Sequence, residues 1–128
     1  MSKPLHEPTF LILTALLAGP LHGYALLTEV HKVSGGRVSL RVGTLYAALD
    51  RLTAEGLVAV QSEEVVSGRL RRTYHVTAAG SDAVSTEVDR MATLARAARS
   101  RLRRRAAATA PASSTASSTS SSTASGVA

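Results

Sequence analysis

V-G-T-L-Y-A-A-L-D-R-L-T-A-E-G-L-V, residues 42–58, is the stretch on which the fold turns. Val42, Leu45, Leu49 and Leu52 recur at intervals of three, four and three, which sets them along one stripe of a helix. Gly56 is a stop signal, and Ser39 just upstream is a residue type that caps a helix start. Beside the apolar stripe lies a second face: Arg41, Thr44, Ala47 and Arg51, with Tyr46 between the two. Arginine donates to guanine, threonine donates, accepts or meets a thymine methyl, and alanine permits close approach, so the mixture suits the major groove of DNA. Gly43 lets the backbone at the helix start approach a phosphate, where amide dipoles favour an anion. An ordinary solvated helix face has a similar composition, so the flanking segments have to decide.

Downstream, residues 57–63 are short and valine-rich, Ser67-Gly68 is a turn signal, and residues 70–77 include Thr73, Tyr74 and Val76, which predicts a β-hairpin. Arg69, Arg71 and Arg72 cluster at its tip with no acid between positions 65 and 81, the composition of a wing that reaches for phosphates or a minor groove. Either Arg71 or Arg72 is expected to pair with Glu63 or Glu64 across the hairpin, leaving the tip free. Upstream, Pro8 suits a first helical turn, Phe10, Leu13, Leu16 and Leu17 fall at helical spacing, and Gly19-Pro20 ends the helix, giving residues 8–18. Tyr24, Leu27 and Val30 predict a second helix over 22–33, stopped by Ser34-Gly35-Gly36, with Tyr24 assigned to packing and His22 to a capping or turn hydrogen bond. Tyr46 is left between packing and a phosphate contact.

From residue 81 to 105 there is neither proline nor glycine, and Val84, Val88, Met91, Ala95, Ala98 and Leu102 repeat at four, three, four, three and four. That is a heptad seam, with too little apolar surface at its alanines for a strong free coiled coil, so it is expected to dimerise with help from other packing. Residues 106–128 are almost entirely Ala, Ser and Thr and are expected to be a disordered tail. Three helices, a hairpin and a long helix make an α+β, mainly α chain: a winged helix-turn-helix over 1–78, a dimerisation helix over 79–105 and a tail.

Composition narrows the function. The formal charge is +6, yet residues 1–95 hold nine Lys or Arg against nine Asp or Glu, so the whole excess is Arg96, Arg99, Arg101, Arg103, Arg104 and Arg105. There is no cysteine, which excludes disulfides, thiolate metal sites and thiol nucleophiles. The four histidines are widely spaced and offer no metal pair on one helix turn. Asp50 and Glu55 do not share a helix face, and no nucleophile is set beside a base, so no enzyme, metal or cofactor is expected. The apolar run at 10–18 is too short to span a bilayer and lacks a cleavage site, which makes the cytoplasm the expected compartment and excludes a membrane partner.

Three segments together resemble the PadR family of bacterial regulators: L-L-A-G-P-L-H-G-Y at 16–24, G-T-L-Y-A-A-L-D-R-L-T-A-E-G-L-V at 43–58, and G-R-L-R-R-T-Y-H-V-T-A-A-G at 68–80. The resemblance implies a winged helix-turn-helix with a C-terminal dimerisation helix, acting as a repressor on double-stranded DNA and, in members that sense ligands, released by a small hydrophobic or aromatic effector. By position, Gly43, Thr44 and Tyr46 fall in the family's recognition-helix motif, Gly68, Arg69, Arg71 and Arg72 in its basic wing, and His22, Gly23 and Tyr24 at the opening of the second helix. Leu70 stands where the family often has proline and Ala25 where it often has an acid. The expectation is a homodimeric repressor on a pseudo-palindromic operator. Its rivals are a dimeric ligand-binding or interaction module with weak or nonspecific DNA binding, and a nonspecific binder driven by the arginine tract.

Overall fold

The computed structural model describes residues 4–110. In chain order the elements are α1 (Glu7–Leu17), β1 (Leu21–His22), α2 (Gly23–Val33), α3 (Val42–Ala54), β2 (Val58–Val66), β3 (Arg69–Val76) and α4 (Ala78–Thr109). The strands form one antiparallel sheet in the order β1-β3-β2, with Leu21 opposite Tyr74, Val58 opposite Val76 and Val66 opposite Arg69. The chain is mainly helical with this small sheet, as its residues predict. A first compact unit ends at Arg90 and a second begins at Met91.

The core of the first unit is built at helical spacing. Ile12, Leu13 and Leu16 of α1, Leu26 and Val30 of α2, and Leu45, Leu49 and Leu52 of α3 are all buried, with Val58, Tyr74 and Val84 joining them from β2, β3 and α4. Each leucine so placed contributes about 2 kcal/mol of transfer free energy, which is what orients α3 about its axis.

Several details differ from the sequence reading. The buried face of α2 is Gly23, Leu26 and Val30, and Tyr24 is 63 % exposed instead of packed. Gly23 gives no apolar signal, yet its missing Cβ is what admits the phenol of Tyr46, so the face is turned by one residue. Ser39 does not cap α3: the N-cap is Arg41, without a side-chain cap, and the Ser39 hydroxyl hydrogen-bonds His31 Nδ1 at 3.0 Å. The two-residue β1 is an addition, and the hairpin strands run right up to Ser67-Gly68. The last helix continues through Thr109, four residues into the expected tail, of which residues 111–128 lie outside the described residues.

The ends of α3 and the sheet are fastened to α4 at one joint. Thr77 Oγ1 donates to the Gly56 carbonyl at 2.7 Å and accepts from Gly80 N–H at 3.1 Å, while Thr77 N–H reaches the Leu57 carbonyl at 3.1 Å. A Cβ on Gly80 would run into that same Leu57 carbonyl oxygen and lie 2.7 Å from Val76 Cγ2. Further along α4, the buried Glu87 accepts from Leu5 N–H at 3.2 Å and pairs with Arg90. Arg90 first, and the Leu5 amide with it, hold the Glu87 carboxyl below the usual range against the opposing effect of burial. Among the described residues no helix is long and apolar enough to cross a membrane.

Two outcomes follow from these contacts. Gly80→Ala overpacks the joint and is expected to cost about 1–3 kcal/mol in urea unfolding of the whole chain. Because the carboxyl of Glu87 is depressed in the folded state, its contribution is complete above the ordinary glutamate value and is lost as pH falls through the folded one. Unfolding measured between about pH 6 and pH 3 is therefore expected to show a steeper acid loss for the natural chain than for Glu87→Gln.

Candidate nucleic-acid interface

With Leu45, Leu49 and Leu52 buried, α3 presents Arg41, Gly43, Thr44 and Ala47 to solvent. The helix start has no side-chain cap, so the first-turn amides are left to an outside acceptor. A Cβ built on Gly43 meets nothing within 4 Å, and Gly43 is not among the positive-φ glycines. The fold itself does not need glycine there, where it costs about 1 kcal/mol relative to alanine. Glycine there leaves room for a close approach by an outside backbone or phosphate.

Tyr46 leaves the same helix on the flank facing α2. Its phenol lies against Gly23, where a Cβ would collide with it, and it is partly exposed, so packing and exposure are combined in one side chain. His22 Nδ1 accepts from Ala25 N–H at 3.4 Å, a cap for α2 as its position predicts. A cleft of about 130 Å³ joins this corner to the wing, lined by His22, Tyr24, Tyr46, Arg69 and Arg71 among others.

The wing turns on Ser67 (φ 53) and Gly68 (φ 77), two left-handed residues in succession, the geometry of a two-residue hairpin loop whose twist matches the strands. Arg72 Nε lies 3.7 Å from Glu63 Oε2, the cross-strand pair expected of one arginine. The Tyr74 hydroxyl and Glu63 both push the Arg72 guanidinium pKa up, and burial pushes the Tyr74 phenol up. Arg69 and Arg71 are exposed and make no ion pair among the described residues.

Arg51 shares the face of Thr44 and Ala47 and is half-exposed, with Nη2 donating to Thr9 Oγ1 at 2.9 Å and Nη1 3.6 Å from Glu55. On α4, Val84 is spent internally, 5 % exposed in the core, which removes it from any seam open to a partner. Val88, Met91, Ala95, Ala98 and Leu102 are exposed, and so is Leu94, which the four-three spacing passed over. Among the described residues no group of three or more His, Asp or Glu is placed to hold a metal ion.

The sequence profile of the transcriptional regulator PadR-like family matches residues 12–86, from the core of α1 to the first turns of α4. The chain belongs to that family. The transcriptional regulator Rv3488 of Mycobacterium tuberculosis is 45 % identical over 76 residues, 59 % of this chain and 67 % of that one. An uncharacterized 37.1 kDa protein in transposon Tn4556 of Streptomyces fradiae is 42 % identical over 89 residues, 70 % of this chain; the chain spans only 24 % of that relative's length. Among solved structures, Bacillus subtilis PadR in complex with operator DNA shares the fold with a TM-score of 0.59 at 22 % identity, over 66 % of this chain and 48 % of that one.

If Gly43 is kept for an outside partner, Gly43→Ala separates stability from binding. The variant is expected to be more stable by up to ~1 kcal/mol in urea unfolding. Its affinity for its own upstream DNA is expected to fall about tenfold in fluorescence anisotropy, the equivalent of one lost close contact.

Proposed function

We propose that this PadR-like regulator is a repressor that binds a pseudo-palindromic operator as a homodimer. The observation that carries the reading is the open, uncapped start of α3, with Gly43 bare, set in the same unit as a wing whose Arg69 and Arg71 have no ion-pair partner among the described residues. In this reading Arg41 and Thr44 meet base edges, Gly43 and Ala47 allow the approach, and Tyr46, Arg69 and Arg71 meet the backbone. Arg72 is held by Glu63 and supports the wing more than it binds. Bacillus subtilis PadR, which shares the fold, was solved in complex with operator DNA, and this supports DNA as the partner.

Dimerisation is supported by the apolar side chains Met91, Leu94 and Leu102 exposed on the second part of α4. Effector release is supported by a cavity of about 560 Å³ in the first unit, where Leu5 and Leu57 alternate with Thr9, Arg51, Glu87 and Arg90. A small aromatic molecule with a polar group matches those walls, and Arg51 connects them to α3.

The experiment compares two variants on operator and scrambled duplexes across a salt series. Arg69→Gln with Arg71→Gln is expected to remove most operator binding at moderate salt. Changing Arg101, Arg103, Arg104 and Arg105 to Gln is expected to lower the salt slope and leave the operator-to-scrambled ratio nearly intact. Arg41→Ala or Thr44→Ala is expected to relax discrimination at single base pairs by about 1–3 kcal/mol. Loss of the operator by the C-terminal variant alone, or equal affinity of the natural chain for both duplexes, overturns the reading.

A further inference from the structure

The link between α2 and α3 presents a hydroxyl between two arginines. Over residues 37–41 burial alternates: Val38 and Leu40 are partly buried against the core, and Arg37, Ser39 and Arg41 are exposed. A period of two puts the serine and both arginines on one outward face. The stretch is pinned at its start, where Ser34 Oγ accepts from Val38 N–H at 3.0 Å and donates to the His31 carbonyl at 2.9 Å. Beyond it, the backbone groups of Ser39 and Leu40 make no hydrogen bond among the described residues, so they are open to pairing by another protein.

Positive groups surround the hydroxyl. Ser39 Oγ lies 3.0 Å from His31 Nδ1. Arg37 Nη2 is 3.9 Å from Glu7, a loose pair with both side chains mostly in solvent, and Arg41 makes no ion pair among the described residues. Three of the described serines have an arginine within two positions, Ser39, Ser67 and Ser100, and the other two are placed differently. Ser67 is the left-handed residue of the wing turn with an arginine on one side only, and Ser100 lies inside α4 with its hydroxyl accepting from Arg104.

We propose that Ser39 is a phosphorylation site, for a serine/threonine protein kinase that selects arginine on both sides of its acceptor, and that the phosphoserine releases the chain from DNA. The release rests on the DNA-binding reading above; the acceptor does not. In the transfer, Ser39 Oγ bonds to the γ-phosphorus of ATP, the bond from that phosphorus to the β–γ bridging oxygen breaks, ADP leaves, and the hydroxyl proton passes to the kinase's catalytic carboxylate. Arginines at 37 and 41 are what such an enzyme recognises beforehand. Afterwards the same residues hold the product: a phosphoserine carries about −1.5 to −2 charges and three acceptor oxygens, close to cancelling two guanidiniums. It sits two residues ahead of the uncapped start of α3, where a DNA phosphate approaches Gly43 in the reading proposed above. The chain's own phosphate then occupies those donors and repels the incoming one.

The full chain is treated with protein kinase C, which prefers basic residues on both sides, and ATP, and the phosphate is mapped by fragmentation mass spectrometry. One phosphoryl group on Ser39 is expected, none on Ser39→Ala, and several-fold slower transfer to Arg37→Gln. Affinity of the phosphorylated chain for its own upstream DNA is expected to fall at least about tenfold in fluorescence anisotropy, with the urea midpoint unchanged, while Ser39→Ala taken through the same treatment keeps its affinity. A chain that takes no phosphate, or takes it elsewhere than Ser39, overturns the proposal. Full operator affinity with Ser39 phosphorylated overturns the release, and so does a loss of affinity matched by a fall in the urea midpoint. An untreated chain that binds its upstream DNA no better than a scrambled duplex removes the DNA-binding reading and the release with it, and the mapping still decides the acceptor.

Discussion

The burial of Leu45, Leu49 and Leu52 sets what every other part of the interface can do. Three leucines on one stripe fix the rotation of α3 about its axis, and rotation alone decides which side chains are left over. Turning the helix by one residue would bring Tyr46 inward and send a leucine out, at a cost of several times thermal energy. As it stands, the stripe faces the core formed with α1 and α2, Tyr46 seats its phenol on the bare backbone of Gly23, and Arg41, Thr44 and Ala47 are what remains for solvent. The outward face is thus specified by the inward one.

Orientation is of little use unless the wing is held in a constant relation to α3, and that is the work of the joint at residues 56–57, 77 and 80. Thr77 bridges the Gly56 carbonyl at the end of α3 and the Gly80 amide in the first turn of α4, with β2 and β3 ending on either side. Only glycine fits at position 80, because the Leu57 carbonyl occupies the place of a Cβ. The sheet that begins here runs out to Ser67-Gly68, and Arg72 with Glu63 stiffens it on the way by an exposed ion pair of modest worth. Arg69 and Arg71 sit one and three residues beyond Gly68.

What could be read in advance was whatever leaves a periodic or chemical trace. The leucine stripe of α3, the Ser67-Gly68 turn, the Arg72–Glu63 pair and the cap by His22 all follow from spacing and residue type. What could not be read depends on a neighbour remote in the chain. The bond from Arg51 to Thr9 joins residues 42 positions apart, and nothing near Arg51 announces it. Tyr24 matches an apolar pattern, but the true face runs through Gly23, which is silent in any hydrophobicity reading and informative only once Tyr46 is seen against it. Val84 fits the heptad as well as Val88 does; the core claims the first and not the second. β1 is too short to show a period and exists only because β3 supplies its partner.

Charge completes the division of labour. Residues 1–95 are neutral overall, so the first unit has little long-range field, and at about 0.1 M salt whatever it has decays within ~10 Å. In the DNA-binding reading proposed above, Arg69, Arg71 and the uncapped start of α3 would therefore act only at contact, where geometry counts. The arginines between residues 96 and 105 have the opposite character. They are numerous and exposed, which suits raising the local concentration of a polyanion and poorly suits telling one sequence from another. The clustered arginines and the exposed face of α3 thus lie on different segments of the chain, and the joint at Gly80 fixes the geometry of the segment that carries α3 and the wing.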